Sequence, residues 1–176
     1  GSQDKQTGSA TLKLTGQALD PCTVSKEDEK TLTIINLPMA NAGADADICE
    51  TGTYQLQGSA ENYTSVFWET NGNGSFSNSS ILNPEYTPGP NDIAAGTVTL
   101  TLNASAISPC SISDSDEITI TIQLNPLANA GNDITACGET QLSGEASNFV
   151  SILWSTAGDG NFDNPNMLNP EYTPGP

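Results

Sequence analysis

Carboxylates dominate the groups that can do chemistry in this chain. Of its 176 residues, 21 are Asp or Glu and 4 are Lys or Arg; there is no His, and the formal net charge is −17. Six acids cluster where hard-cation chemistry is conceivable: Asp45 and Asp47, then Asp114, Asp116 and Glu117, then Asp133. Calcium takes six to eight oxygens converging in space. It is the one cofactor the composition admits, set against a plainer reading as solvated surface acids. Paired carboxylates also serve glycoside hydrolysis, but no pair stands out in sequence, so no catalytic residue is assigned and the chain reads as a non-enzyme. Without His, Ser-His-Asp and Cys-His catalysis and His-ligated zinc are excluded.

The four cysteines, Cys22, Cys49, Cys110 and Cys137, point to an oxidising compartment as disulfide candidates. Three arrangements stay open. Cys49–Cys110 closes a loop whose bridge contributes on the order of 4 kcal/mol, yet a seven-residue strand separates their ends by about 23 Å, against a Cα limit of about 7 Å. Each can instead join a neighbouring domain outside this chain. Or Cys22 pairs with Cys49 and Cys110 with Cys137, at equal spacings, which requires a different domain phasing.

Trp68 and Trp154 follow the apolar pairs Val66-Phe67 and Ile152-Leu153. They read as core tryptophans between two sheets, with a sugar platform as the rival role. Phe76, Phe162, Tyr86 and Tyr172 read as core or strand-edge residues, and a buried Tyr hydroxyl needs a partner. The loops Asn71-Gly72-Asn73-Gly74 and Ala157-Gly158-Asp159-Gly160 read as hairpin turns whose glycines supply positive φ. They have neither the Lys nor the helix start of a phosphate cradle.

The elements that position these residues are strands. Thr97 to Leu102 and Glu117 to Ile122 alternate strictly between polar and apolar, as half-buried strands do. Leu12, Leu14, Leu32 and Ile34 follow the same rule, and no stretch reads as an amphipathic helix. All four lysines (Lys5, Lys13, Lys26, Lys30) fall in the first thirty residues. Nucleic acid and anionic membrane surfaces are therefore poor partners. No run of about eighteen apolar residues is present for direct membrane insertion. Gly1 does not open a signal peptide, so a mature piece or a fragment is expected.

Self-similarity organises the whole chain. Ala40-Asn41-Ala42-Gly43 recurs as Ala128-Asn129-Ala130-Gly131, Trp68 to Phe76 matches Trp154 to Phe162, and Leu82 to Pro90 recurs unchanged as Leu168 to Pro176. The offset is 88 residues at the first element and 86 at the tryptophans, with a two-residue deletion near Cys137 to Leu142. Leu12, Pro21-Cys22, Thr31 and Ile34 stand 88 before Leu100, Pro109-Cys110, Thr119 and Ile122, and Asp4 stands 88 before Asp92. With Leu37-Pro38-Met39 and Asn125-Pro126-Leu127 as linkers, residues 1–37 are the back of one repeat, 38–125 a complete repeat and 126–176 the front of the next. The alternative phasing is 1–90 and 91–176. About seven strands per period, separated by turns, predict an all-β fold: tandem immunoglobulin-like antiparallel β-sandwich repeats.

These motifs, Ala-Asn-Ala-Gly, WxTxGxGxF and LNPxYTPG, resemble PKD-like immunoglobulin-fold repeats. They are similar to tandem repeats of giant cell-surface adhesins of Bacteroidota, with gliding-motility adhesins of the SprB kind as the nearest comparison. The usual PKD motif WDFGDG differs in spacing here. The resemblance implies a structural stalk repeat of a large adhesin, exported by the type IX route to the bacterial cell surface. Its implied partners are neighbouring repeats of the same chain, with surface polysaccharide or other cell-surface proteins beyond them. A glycan- or protein-binding module and an accessory domain of an extracellular hydrolase are the alternatives.

Overall fold

Alternation of Thr with Val, Leu and Ile gives strands that bury one face and wet the other, and this pattern builds the central sheet. The structure, a computed structural model, describes residues 2–176. It divides into two compact units: residues up to Ile48 with Gly52–Thr121, and Cys49–Thr51 with Ile122–Pro176.

The first unit opens with α1 (Ser2–Thr7) and the hairpin β1 (Ser9–Gly16) and β2 (Lys26–Thr33). It continues through β3 (Met39–Asn41), β4 (Ala46–Cys49), β5 (Tyr54–Gln55), β6 (Ser59–Glu61), β7 (Tyr63–Thr70), β8 (Ser75–Phe76), β9 (Glu85–Thr87), α2 (Pro90–Ala95), β10 (Thr97–Ala106) and β11 (Asp114–Gln123). One sheet runs β4-β11-β10-β7, antiparallel between β11 and β10 and between β10 and β7; facing it are β5-β9-β8 and the pair β3-β6. Val98, Leu100, Leu102 and Ala104 of β10 join Ile118 and Ile120 of β11 in the core with Leu56, Trp68 and Tyr86. Fully burying each aliphatic side chain stabilises by about 1.5–3 kcal/mol.

The expected seven strands appear with two of them broken. The first divides into β3 and β4 at Gly43, whose φ is 99°, a conformation Gly tolerates, while the Asn41 Oδ1 accepts the Gly43 N–H at 2.9 Å. The second divides into β5 and β6 around Gly58. A Cβ there would lie 2.8 Å from the Trp68 ring and from the Leu82 carbonyl oxygen, so the ring needs a residue without a side chain beneath it.

The second unit repeats part of this plan. β12 (Leu127–Asn129) pairs β14 (Glu145–Ser147) as β3 pairs β6, and β13 (Thr140–Gln141), β16 (Glu171–Thr173) and β15 (Asn161–Phe162) repeat β5-β9-β8. The tilted ring contacts Trp68–Phe76 and Phe76–Tyr86, at 6.2 and 5.0 Å, return as Trp154–Phe162 and Phe162–Tyr172 at 6.3 and 5.1 Å. Residues 151–156, the counterpart of β7, form no strand. A strand needs a ladder partner, and the partner of β7 is β10, which has no counterpart after Trp154 in these 176 residues.

The hairpin β1–β2 has the register of β10–β11: Leu12 lies opposite Lys30 and Leu14 opposite Asp28, as Leu100 lies opposite Ile118 and Leu102 opposite Asp116. Its alternation is as expected, but its apolar face is bare. Leu12 is 52% and Leu14 76% exposed, where Leu100 and Leu102 are at 0%.

Candidate functional site

The most elaborate polar site surrounds Asp92, which lies at the third position of α2. The Pro-Gly-Pro turn delivers Gly89 as the residue before the helix, and Pro90 occupies its first turn, where a missing N–H costs nothing. Asp92 is 2% exposed. Its Oδ2 accepts the Tyr86 hydroxyl at 2.7 Å and the Gly89 N–H at 2.9 Å; its Oδ1 accepts the Asn73 N–H at 2.9 Å. The Asn73 Oδ1 in turn accepts the Asn91 N–H at 3.0 Å, and the Thr70 hydroxyl lies 3.1 Å from that of Tyr86. One buried carboxylate thus ties the start of α2, β9 and the glycine loop into a single knot.

Burial opposes ionisation of Asp92, but the hydrogen bonds from Gly89, Tyr86, Asn73 and Gly74 outweigh it and hold the carboxyl below its ordinary value of 3.8. Tyr86 moves the other way. Its burial, with the hydrogen bond to and the charge of Asp92, pushes the phenol up to about 12, against a smaller opposing effect of Thr70. Both groups are saturated and closed to solvent, so the site can lock a corner but cannot reach a substrate.

The glycine loop corrects the expected hairpin turn. It connects β7 of one sheet to β8 of the other, and neither Gly72 nor Gly74 is among the positive-φ glycines. They are glycines because of close approach: a Cβ on Gly72 would collide with the Asp92 carboxylate, and one on Gly74 with the Tyr86 hydroxyl. Sequence reasoning anticipated a partner for the Tyr86 hydroxyl but not Asp92. The available signal was the Gly-x-x-Asp spacing after the Pro-Gly-Pro turn, repeated at Asp4.

The six candidate calcium ligands are dispersed. Asp114 Oδ2 accepts the Ala40 N–H and Asp116 Oδ2 the Ala42 N–H, both at 2.8 Å, while Asp45 Oδ1 accepts the Thr119 N–H at 2.8 Å. These carboxylates pin the first strand to β11 where no backbone ladder does so. Glu117 accepts the Thr101 hydroxyl at 3.2 Å, and Asp47 and Asp133 are exposed. Among the described residues, no group of three or more acids or cysteines is placed to hold a metal ion. All four cysteines are free thiols; Cys22, Cys49 and Cys137 are exposed, and Cys110 is half-buried with its Sγ 3.7 Å from the Ile35 carbonyl oxygen. Trp68 is 1% exposed and donates to the Leu82 carbonyl at 3.2 Å; Trp154 is half-buried and donates to that of Met167 at 3.0 Å. No helix among the described residues is long and apolar enough to cross a membrane.

No protein-family model matches the chain, and no curated protein does. Among solved structures it is similar to protocadherin gamma B7 extracellular cadherin domains 1–4, with a TM-score of 0.52 and 13% identity over 97% of this chain and 50% of that one. It is also similar to protocadherin gamma B2 extracellular cadherin domains 1–5, with a TM-score of 0.50 and 11% identity over 97% and 39%. The chain spans half or less of the length of these proteins. At such identities the likeness is one of fold: tandem immunoglobulin-like β-sandwiches.

Proposed function

We propose that the chain is a non-enzymatic structural stalk repeat of a large secreted adhesin, carried on the bacterial cell surface, exported by the type IX route, and projecting an adhesive region for attachment or gliding motility. The observation that carries this reading is the repetition of one sandwich plan, with its aromatic trio kept intact from copy to copy. Repetition without a reactive site suits a mechanical role. The Asp92 knot stiffens the corner where the chain passes between sheets, and the carboxylates of Asp45, Asp114 and Asp116 fasten the first strand. A surface dominated by negative charge keeps crowded stalks soluble and apart, and tandem copies add weak contacts into strong attachment. The repeat is phased at 38–125, on the Pro-containing linkers Leu37-Pro38-Met39 and Asn125-Pro126-Leu127, with 1–90 and 91–176 as the alternative. Its partners are neighbouring repeats, with surface polysaccharide or cell-surface proteins at the distal region.

Pulling the chain end to end in a force spectrometer tests this. The complete unit is expected to resist and then release in one step of about 25–30 nm, the extended length of roughly 88 residues at about 3.4 Å each less the folded span. Extension without a resisting step overturns the stalk role. Saturable binding to a glycan array replaces it with the binding-module reading.

A further inference from the structure

The two cysteines of the complete repeat lie at its opposite ends. Cys110 stands in the turn between β10 and β11, half-buried, and its thiol donates to the Ile35 carbonyl at 3.7 Å. Ile35 belongs to the segment by which the chain enters this repeat. Cys49 ends β4, and the next residue, Glu50, donates its N–H to the Gln123 carbonyl at 2.9 Å. Gln123 is the last residue of β11, and in the linker beyond it the Asn125 side-chain amide donates to the Glu50 carboxylate at 2.9 Å. The ten residues of β11 span about 30 Å between these two ends, against a Cα limit of about 7 Å for a disulfide. Cys49 and Cys110 therefore do not serve each other.

Repetition brings the two ends together. Thr33-Ile34-Ile35 stands 88 residues before Thr121-Ile122-Gln123, and Pro38 the same distance before Pro126. The carbonyl that Cys110 meets where its repeat is entered is thus the counterpart of the carbonyl that Glu50 meets where the repeat is left. Shifted by one period, a cysteine in the place of Cys110 reaches the Gln123 carbonyl, whose hydrogen-bond donor is the residue next to Cys49. We propose that Cys49 of each repeat is joined by a disulfide to the counterpart of Cys110 in the following repeat, so that every joint is stapled. The inference rests on the tandem-repeat reading above.

Each bridge forms one S–S bond and breaks two S–H bonds. The two protons and two electrons pass to the disulfide of a thiol–disulfide oxidoreductase, which leaves as a dithiol. Successive bridges overlap along the array. The path that carries load then runs along the chain from Cys110 to Cys137, 27 residues on, and crosses the rest through disulfides. A stapled stalk keeps its length under a pull that would otherwise unfold its sandwiches one by one.

The test uses the natural chain and an extended chain, in which a second copy of residues 91–125 follows Pro176 and completes the last repeat. The extended chain carries Cys110→Ser, so that the added copy of Cys110 is identified by its peptide. Both are oxidised in a glutathione redox buffer, blocked with N-ethylmaleimide, digested without reduction and mapped by mass spectrometry. The natural chain is expected to form no intramolecular bridge, and the extended chain to link Cys49 to the added cysteine. In the force spectrometer, the bridged extended chain is expected to stretch about 50 nm less than the reduced one, because the bridge closes a loop of roughly 150 residues at about 3.4 Å each. A Cys49 that stays alkylated in the extended chain, a bridge from Cys137 to the added cysteine, or a bridge among the four cysteines of the natural chain overturns the proposal. A resisting step in a chain that forms no bridge removes the staple and leaves the stalk role standing.

Discussion

Replacing Asp92 by Ala tests whether the knot at the corner holds the complete unit together. Three donors lose their acceptor: the Tyr86 hydroxyl, the Gly89 N–H and the Asn73 N–H. Hydrogen bonds to a charged group contribute about 1.5–3 kcal/mol each, but the three are not equal. Gly89 is buried and has no substitute, Tyr86 keeps the Thr70 hydroxyl, and Asn73 is exposed enough for water to replace the carboxylate. The expected loss is about 3–4 kcal/mol, which for a unit of this size lowers the melting temperature by about 15–25 °C. Urea unfolding followed by Trp68 fluorescence, in a Trp154→Phe background, reads it directly. Tyr86→Phe removes the contact with the Thr70 hydroxyl and the bond to Asp92, and is expected to cost about 2 kcal/mol. Because the two residues share that bond, the double variant falls short of the sum of the singles by about 1 kcal/mol or more. A loss below about 1 kcal/mol for Asp92→Ala, or strict additivity with Tyr86→Phe, refutes the reasoning.

Gly72→Ala forces a methyl into the Asp92 carboxylate and is expected to cost about 2–4 kcal/mol in the same urea assay. The depressed Asp92 carboxyl stabilises the fold fully above its unfolded value of 3.8 and progressively less as pH falls below that value, so Asp92→Asn is expected to flatten the acid limb of a pH-stability curve. The raised Tyr86 phenol stabilises fully below its unfolded value of 10.0, and this is lost as pH rises toward about 12; spectrophotometric titration at 295 nm is expected to show one tyrosine that ionises late, absent in Tyr86→Phe. Since Asp45, Asp114 and Asp116 already accept backbone N–H groups, chelator is expected to leave the melting temperature unchanged, while Asp116→Ala lowers stability by about 1–2 kcal/mol by freeing the first strand.

Repetition and alternation are properties of residue order, and they were readable without coordinates. The period-two pattern of Thr97 to Leu102 and Glu117 to Ile122 depends only on a strand's side chains pointing to opposite faces, so it marked both the strands and their buried sides. The matched motifs around Ala40, Trp68 and Leu82 identified the repeat, the core tryptophan and the sandwich class. What residue order could not express is which distant groups meet. Asp92 reads as one acid among 21; only the folded chain brings it under Tyr86, Gly89 and Asn73 and turns Gly72 and Gly74 from apparent turn formers into clearance for a carboxylate and a phenol. Asp114 and Asp116 read as cation ligands or as plain surface acids, and tertiary placement gives each a backbone N–H to accept, those of Ala40 and Ala42. The leucines of the β1–β2 hairpin obey the same alternation as those of β10, yet one set is exposed and the other buried. Alternation sets which face of a strand is apolar, but whether that face is covered depends on a second sheet, and that is supplied only by the fold.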